Sequence, residues 1–394
     1  MMRYFSYLSS KEEQAIFFLS PKPICVNDRE TMEYALGAAL YMPGTRLTVA
    51  KDIIDGKLNG LMTMVLCLED AIGDSEVAKA EKLLVCQLQE LAQAVERQEL
   101  AAEAVPLIFI RIREASQMQR VCEALDNALP FLTGFIFPKF QPSNAQAYLE
   151  TLSDLNKKLG QPLYGMPILE SREMIYRENR WQNLTTVKSL LGDYRRLILN
   201  IRIGATDFSG LFGLRRNPDL TIYDIAPIRD CIADIVNIFC RPEDPYVVSG
   251  PVWEFYSSER VLKPQLRQTP FTDSLGQAGG RLRSNMVCRY IDGLIHEVLL
   301  DKANGLVGKT IIHPTHIKPV QSLCVVTHEE YSDALNILQG NSDERGVMAS
   351  SYANKMNEIK PHTRWAKNIL IKSRIYGVFN EHRNFTCLLD ADTF

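Results

Sequence analysis

Charged side chains close a succession of short apolar runs in this sequence, and their types suit a site for a metal ion and an anion. Carboxylates provide the oxygen ligands that hard divalent cations prefer, and guanidinium groups grip a carboxylate or phosphate with two hydrogen bonds. Six successive runs that end in charge would be electrostatically costly in a purely structural role. The cost is offset if the carboxylates face a divalent cation and the arginines face an anionic substrate. The positions are Arg46, Glu69, Asp70, Arg111, Lys139, Glu170 and Asp207.

The apolar runs themselves alternate with amphipathic stretches, such as residues 75–96 and 143–158, in which apolar residues recur three and four apart. This alternation predicts parallel strands connected by helices. Eight strand candidates over roughly 280 residues favour an α/β fold of the (β/α)8 TIM-barrel type, in which the strand ends meet at one mouth. The candidates are residues 35–42, 64–68, 107–112, 134–137, 163–169, 197–203, 246–248 and 310–312. No glycine-rich dinucleotide fingerprint or Walker A sequence favours another parallel-sheet fold.

The alternation defines three predicted regions. Residues 1–30 form an N-terminal extension, residues 31–325 the catalytic barrel, and residues 326–394 a C-terminal helical appendage with helices at 329–338 and 364–373. Residues 263–283, rich in Gly, Gln and Arg, form a predicted long loop after the seventh strand.

Composition limits the classes of partner and compartment. The net charge of -3 argues against nucleic acid or an anionic membrane as the main partner, since both usually require a basic excess. Nine cysteines without a CxxC pair indicate reduced thiols, and no stretch has the features of a signal peptide or a membrane span. We therefore expect a cytoplasmic protein.

Seven sequence motifs together resemble a known family. They are YMPGTR, LCLEDAI, FIRIRE, FIFPKF, PILES, IGATDFSGLFG and GLVGKTIIHPTHI, over roughly residues 36 to 320. In this order and spacing they resemble the citrate lyase β-subunit-like branch of the HpcH/HpaI aldolase superfamily, which includes malyl-CoA lyases. The resemblance implies a TIM-barrel carbon-carbon bond lyase that acts through an enolate next to a carboxylate or thioester.

The resemblance also implies roles for the charged residues. Glu170 and Asp207 match two carboxylates that ligate Mg2+, Arg46 and Arg111 match arginines that face the substrate, and Glu69 and Asp70 match a pair that orients the arginine and the metal-bound waters. We assign Lys139 an electrostatic, substrate-binding role or a packing role, and a salt bridge within the barrel rim is the alternative.

Three departures from the family pattern leave the substrate open. Arg113 stands where the family has Asn, and His316 where it has Gln. In the tail, KMNE resembles a family segment whose acid serves a neighbouring subunit, with Glu358 in that place. The tail and the loop at 263–283 are closer to a divergent branch found with tellurite-resistance and stress operons, for which the resemblance implies a phosphorylated, ribose-derived substrate.

Several hypotheses on the substrate and the reaction stay open at this stage. The substrate is a small anion of one of three kinds: an acyl-CoA, an oxoacid or a phosphorylated metabolite. Phosphoenolpyruvate mutase or pyruvate-aldolase chemistry on the same metal is an alternative, and so is a retired enzyme that binds a metabolite or serves as a subunit of a biosynthetic complex. We further expect a homo-oligomer in which the tail of one chain closes the barrel mouth of another.

Overall fold

Eight parallel passes of the chain form a barrel, as the sequence predicted. The computed structural model describes residues 2–256, 289–342 and 346–389. Barrel strands 1 to 6 are Ala38–Pro43, Thr63–Cys67, Leu107–Arg111, Leu132–Phe137, Tyr164–Leu169 and Asn200–Ile203. Strand 7 comprises Val247–Val248 and Gly250–Trp253, and strand 8 is Lys309–Ile311. The loop predicted at residues 263–283 lies outside the described residues.

Strand 7 is interrupted at Ser249, and this break closes the barrel. The Ser249 N–H donates to the Ile201 carbonyl on strand 6 at 2.9 Å, while the Val248 carbonyl accepts from the Val307 N–H at 2.8 Å. The first half of the strand pairs with strand 6 and the second half with strand 8. Nine hydrogen-bonded segments therefore amount to eight passes of the chain around a closed sheet.

Helices surround the barrel, because alternate strand residues point outward to a helix or inward to the barrel axis. On strand 3, Ile108 and Ile110 pack in the outer apolar cluster, whereas Phe109 belongs to the inner cluster. The surrounding helices are Val49–Ile54, Val77–Glu96, Ala115–Leu125, Pro142–Leu159, Arg172–Ile175, Arg177–Asp193, Ala205–Leu211, Ala226–Phe239, Arg289–Ala303 and Ile317–Cys324.

The N-terminal extension covers the amino end of the barrel, opposite the mouth. It contains helices Ser10–Ile16 and Arg29–Met32 and strand Phe17–Leu19. Tyr4 and Phe5 belong to the same apolar cluster as the inward-facing Phe109, so they extend the barrel core at its amino end. The described residues thereby close the barrel at one end and leave it open at the other.

The C-terminal tail packs beside this extension, on its own barrel. It contains helices His328–Ser342 and Ile359–Tyr376, a hairpin of Val347–Ala349 and Met356–Glu358 that the sequence did not predict, and strand Val378–Phe379. That strand pairs with Phe17–Leu19. Arg364 donates to the Cys240 carbonyl at 2.7 Å, and the Tyr376 hydroxyl donates to the Tyr34 carbonyl at 2.6 Å. Within the described parts of the chain, no helix has the length and apolar character needed to cross a membrane.

Candidate active site

A cavity of about 660 Å³ opens at the carboxyl ends of the barrel strands. In a barrel of parallel strands, the loops that follow the strands all lie at the same end, and TIM barrels hold their active sites at this end. Among the residues predicted from the sequence, the cavity is lined by Asp70, Arg111, Glu170 and Asp207. Glu69 and Lys139 lie directly behind this lining, through the contacts below.

Arg111, at the end of strand 3, is the electrostatic centre of the site. Its Nη2 atom lies 2.7 Å from Glu69 Oε2, 3.0 Å from Asp70 Oδ2 and 3.0 Å from Glu170 Oε1. Burial lowers the pKa of the guanidinium, but the nearby charges of Glu170 and Glu69 outweigh burial and raise it, so the group stays charged. Its Nε atom is buried and has no hydrogen-bond partner among the described residues. The guanidinium therefore holds three carboxylates, and one of its N–H groups has no partner among the described residues.

Lys139 connects two of the strand ends through both its backbone and its side chain. Its Nζ atom lies 2.5 Å from Glu69 Oε1 and 3.1 Å from Asp70 Oδ1, and its backbone N–H donates to Glu170 at 2.9 Å. The residue has a φ of 48°, a left-handed conformation that is uncommon outside glycine. Such a conformation at a site residue indicates that the surrounding contacts fix it in place.

Glu170 and Asp207 form a close pair of carboxylates beyond the ends of strands 5 and 6. Burial is the main cause that raises the pKa of Glu170 to about 7, and the negative charge of Asp207 adds to it. The pKa of Asp207 is also raised, first by burial and then by Asp70. Gly204 leaves the space for Glu170, because a Cβ atom there would lie 2.2 Å from its Oε2 atom.

These carboxylates fit a magnesium ion better than a metal that prefers nitrogen or sulfur. The described residues contain no group of three or more His, Cys, Asp or Glu side chains placed to hold a metal. Mg2+ commonly binds proteins through one or two carboxylates and keeps several waters. Mutual repulsion between Glu170 and Asp207 would be relieved by a divalent cation between them.

Two residues predicted for the site lie apart from the cavity lining. Arg46 pairs with Asp52 at 2.7 Å, on the helix that follows strand 1. Glu358 ends the second strand of the tail hairpin and is exposed. Because the tail lies at the amino end of its own barrel, Glu358 cannot serve this chain's own mouth, and its predicted role needs a second copy of the chain.

Arg113, a departure from the family pattern, holds the loop that carries Glu69 and Asp70. Its Nε atom donates to the Leu68 carbonyl at 2.7 Å, and its Nη2 atom donates to the Glu69 carbonyl at 3.3 Å and the Ile72 carbonyl at 3.2 Å. The residue therefore fixes the backbone of the acidic pair from outside the cavity.

Sequence reasoning missed two charged residues that line the cavity. Glu254 follows strand 7 immediately, so the rule that selected the other strand ends would have found it; it accepts from Arg216 at 2.6 Å and from Thr206 at 3.3 Å. Arg202 lies inside strand 6, where its signal is a charge within an otherwise apolar strand.

The fold and the site define a TIM-barrel protein with carboxylates and cations gathered at the carboxyl-terminal mouth. The chain belongs to the family described as C-C bond lyases of the TIM-barrel fold, whose family model matches residues 30–378. Comparison of the sequence with curated proteins found no match.

Solved structures share the fold at low sequence identity. A citrate lyase from Burkholderia xenovorans aligns with a TM-score of 0.59 and 15% identity over 88% of this chain and 94% of its own. CitE from Mycobacterium tuberculosis, in complex with magnesium, acetoacetate and coenzyme A, gives a TM-score of 0.52 and 17% identity over 86% and 99%. A Haloferax volcanii malate synthase with magnesium and glyoxylate gives 0.50 and 12% over 72% and 74%.

Proposed function

We propose that this protein is a Mg2+-dependent lyase or aldolase that breaks or forms a carbon-carbon bond next to a carboxylate or thioester. The observation that carries the proposal is the pair Glu170 and Asp207 facing one cavity with Arg111, in a chain of the C-C bond lyase family. Magnesium complexes of CitE and malate synthase, which share the fold, support the choice of metal.

In the cleavage direction, the substrate hydroxyl loses its proton and becomes a carbonyl as the adjacent carbon-carbon bond breaks. The electron pair of that bond passes to the other fragment, which becomes an enolate and then takes a proton at carbon. Bound Mg2+ would supply positive charge toward substrate oxygens. Arg111 lines the cavity, and its Nε–H, which has no partner among the described residues, is the donor proposed for the oxygen on which negative charge develops.

Lys139, Glu69 and Asp70 hold this arrangement in place. Arg111 cannot turn away from the cavity without losing three carboxylates, and Lys139 fixes two of those carboxylates from the opposite side. A preorganised charge of this kind stabilises an enolate without rearranging during the reaction. Cleavage of a phosphorylated, ribose-derived metabolite is the narrower form of the proposal and is supported by the sequence resemblance.

The test uses proton exchange, which needs no knowledge of the full substrate. In D2O, the full-length protein with Mg2+ should exchange the methyl protons of pyruvate or the acetyl protons of acetyl-CoA, as measured by NMR. Exchange should stop with EDTA and return with added Mg2+. Exchange of pyruvate would indicate an oxoacid substrate, and exchange of acetyl-CoA a thioester. Absence of both exchange and Mg2+ binding would contradict the proposal and favour a retired enzyme.

Glu358 is proposed to act as an acid or base at the mouth of a neighbouring copy, which requires a homo-oligomer. Glu358→Gln should then lower kcat by roughly 100-fold or more, the usual contribution of a positioned acid or base. Glu381→Gln, elsewhere in the same tail, is the control. Light scattering should show an oligomer for both variants. A monomeric, active wild-type protein would exclude this role for Glu358.

A further inference from the structure

Arg202 is a buried cation in the barrel for which the described residues supply no anion. The residue is 2% exposed and lies on strand 6, facing the cavity. Its Nη2 atom donates to the Thr310 hydroxyl at 2.5 Å. Its Nε and Nη1 atoms are buried and have no hydrogen-bond partner among residues 2–256, 289–342 and 346–389.

The other buried arginines among the described residues each have a carboxylate partner. Arg180 pairs with Asp234 at 2.8 Å, Arg216 with Glu254 at 2.6 Å, and Arg111 with its three carboxylates. A buried charge without a counter-charge is strongly unfavourable, so proteins pair it or use it to bind a ligand. The contrast indicates that the anion for Arg202 comes from outside the described residues.

Tyr41 adds a second donor at the same place. Its hydroxyl is buried without a hydrogen-bond partner among the described residues, and the Arg202 Cζ atom lies 5.6 Å from its ring centroid. Burial raises the pKa of the phenol, although the positive charges of Arg202 and Arg111 oppose this shift. The phenol is therefore protonated at neutral pH and can donate.

We infer that Arg202 and Tyr41 form a second anion subsite, which binds an oxyanion of the substrate other than the group that faces Arg111. The inference rests on the proposed function for the identity of the first group, the one that faces Arg111 and the carboxylate pair. The substrate then belongs to the class of metabolites with two anionic groups. Carboxylates and phosphates share the chemistry that a guanidinium and a phenol recognise.

The first experiment tests the subsite without the metal or the reaction. In EDTA, inorganic phosphate or acetate should raise the melting temperature of the wild type. The anion that gives the larger rise shows whether the subsite prefers a phosphate or a carboxylate. Arg202→Met should lose the effect, and Arg120→Met, at an exposed arginine paired with Glu81 and Glu114, should keep it. An equal effect in Arg202→Met would overturn the inference. Arg202→Gln, which keeps donors but loses charge, replaces Arg202→Met if that variant does not fold.

The second experiment measures the second anionic group directly, by calorimetry with Mg2+ present. Pyruvate carries one anionic group, oxaloacetate adds a carboxylate, and phosphonopyruvate adds a phosphonate at the same position. The second group should tighten binding to the wild type by roughly 10- to 100-fold, as expected for hydrogen bonds to a charged group. Arg202→Met should lose this gain and keep its affinity for pyruvate.

The two experiments separate failure of the inference from failure of the proposed function. If Arg202→Met lowers the affinity for all three ligands equally, Arg202 does not bind a second anionic group. This result would overturn the inference alone. If none of the three binds the wild type with Mg2+, the proposed function fails, while the metal-free anion experiment still decides whether the subsite exists.

Discussion

Replacing Glu170 with alanine should abolish Mg2+ binding and turnover while leaving the barrel folded. Glu170 is one of only two carboxylates proposed to touch the ion, and the rest of the coordination sphere would be water and substrate. Its side chain is 2% exposed, yet its loss leaves Arg111 paired with Glu69 and Asp70. We expect the free energy of unfolding to change by less than about 2 kcal/mol.

Calorimetric titration with Mg2+ and thermal unfolding of the same sample check this result. Glu173→Ala, three residues further on and outside the cavity lining, should bind Mg2+ like the wild type. An unfolded Glu170→Ala protein would instead assign Glu170 a structural role.

The raised pKa of Glu170 gives the same variant a pH signature. A carboxyl whose pKa rises from 4.5 to about 7 on folding binds more protons in the folded state. Its stabilising contribution is complete below pH 4.5 and is lost as the pH rises to about 7. The free energy of unfolding of Glu170→Ala, measured relative to that of the metal-free wild type, should therefore be higher at about pH 8 than at about pH 5. In the wild type, Mg2+ affinity should rise over this interval as proton competition ends.

The second large effect is expected for Arg111→Lys, which should keep the fold but lower kcat/KM by roughly 100- to 1000-fold, the usual loss when one preorganised donor is removed. An ammonium keeps the positive charge that Glu69, Asp70 and Glu170 need. It cannot hold three carboxylates and also present a fixed N–H to the substrate, as the planar guanidinium does.

Steady-state kinetics and circular dichroism on this variant provide the measurement, with Arg120→Lys on an outer helix as the matched control. A turnover close to that of the wild type would show that Arg111 acts through charge alone, and would remove its role as a donor to the substrate.

Much of the fold could be predicted from the sequence because its signals are local. Buried parallel strands are short apolar runs, and each of the eight predicted runs overlaps a barrel strand. The break at Ser249 could not be predicted, because it depends on which neighbours strand 7 pairs with and not on its own residues.

The acidic and basic strand ends were also local signals, since parallel strands bring their carboxyl ends to one mouth by topology alone. Tertiary structure decided what each charge contacts: Arg111 holds three carboxylates, whereas Arg46 pairs with Asp52 beside the cavity. It also decided that the tail lies at the amino end of its own barrel, because long-range contacts such as Arg364 with Cys240 have no local pattern. Above all, it showed that Arg202 is buried without a counter-charge among the described residues, which depends on the positions of all neighbouring side chains and cannot be predicted from strand 6 itself.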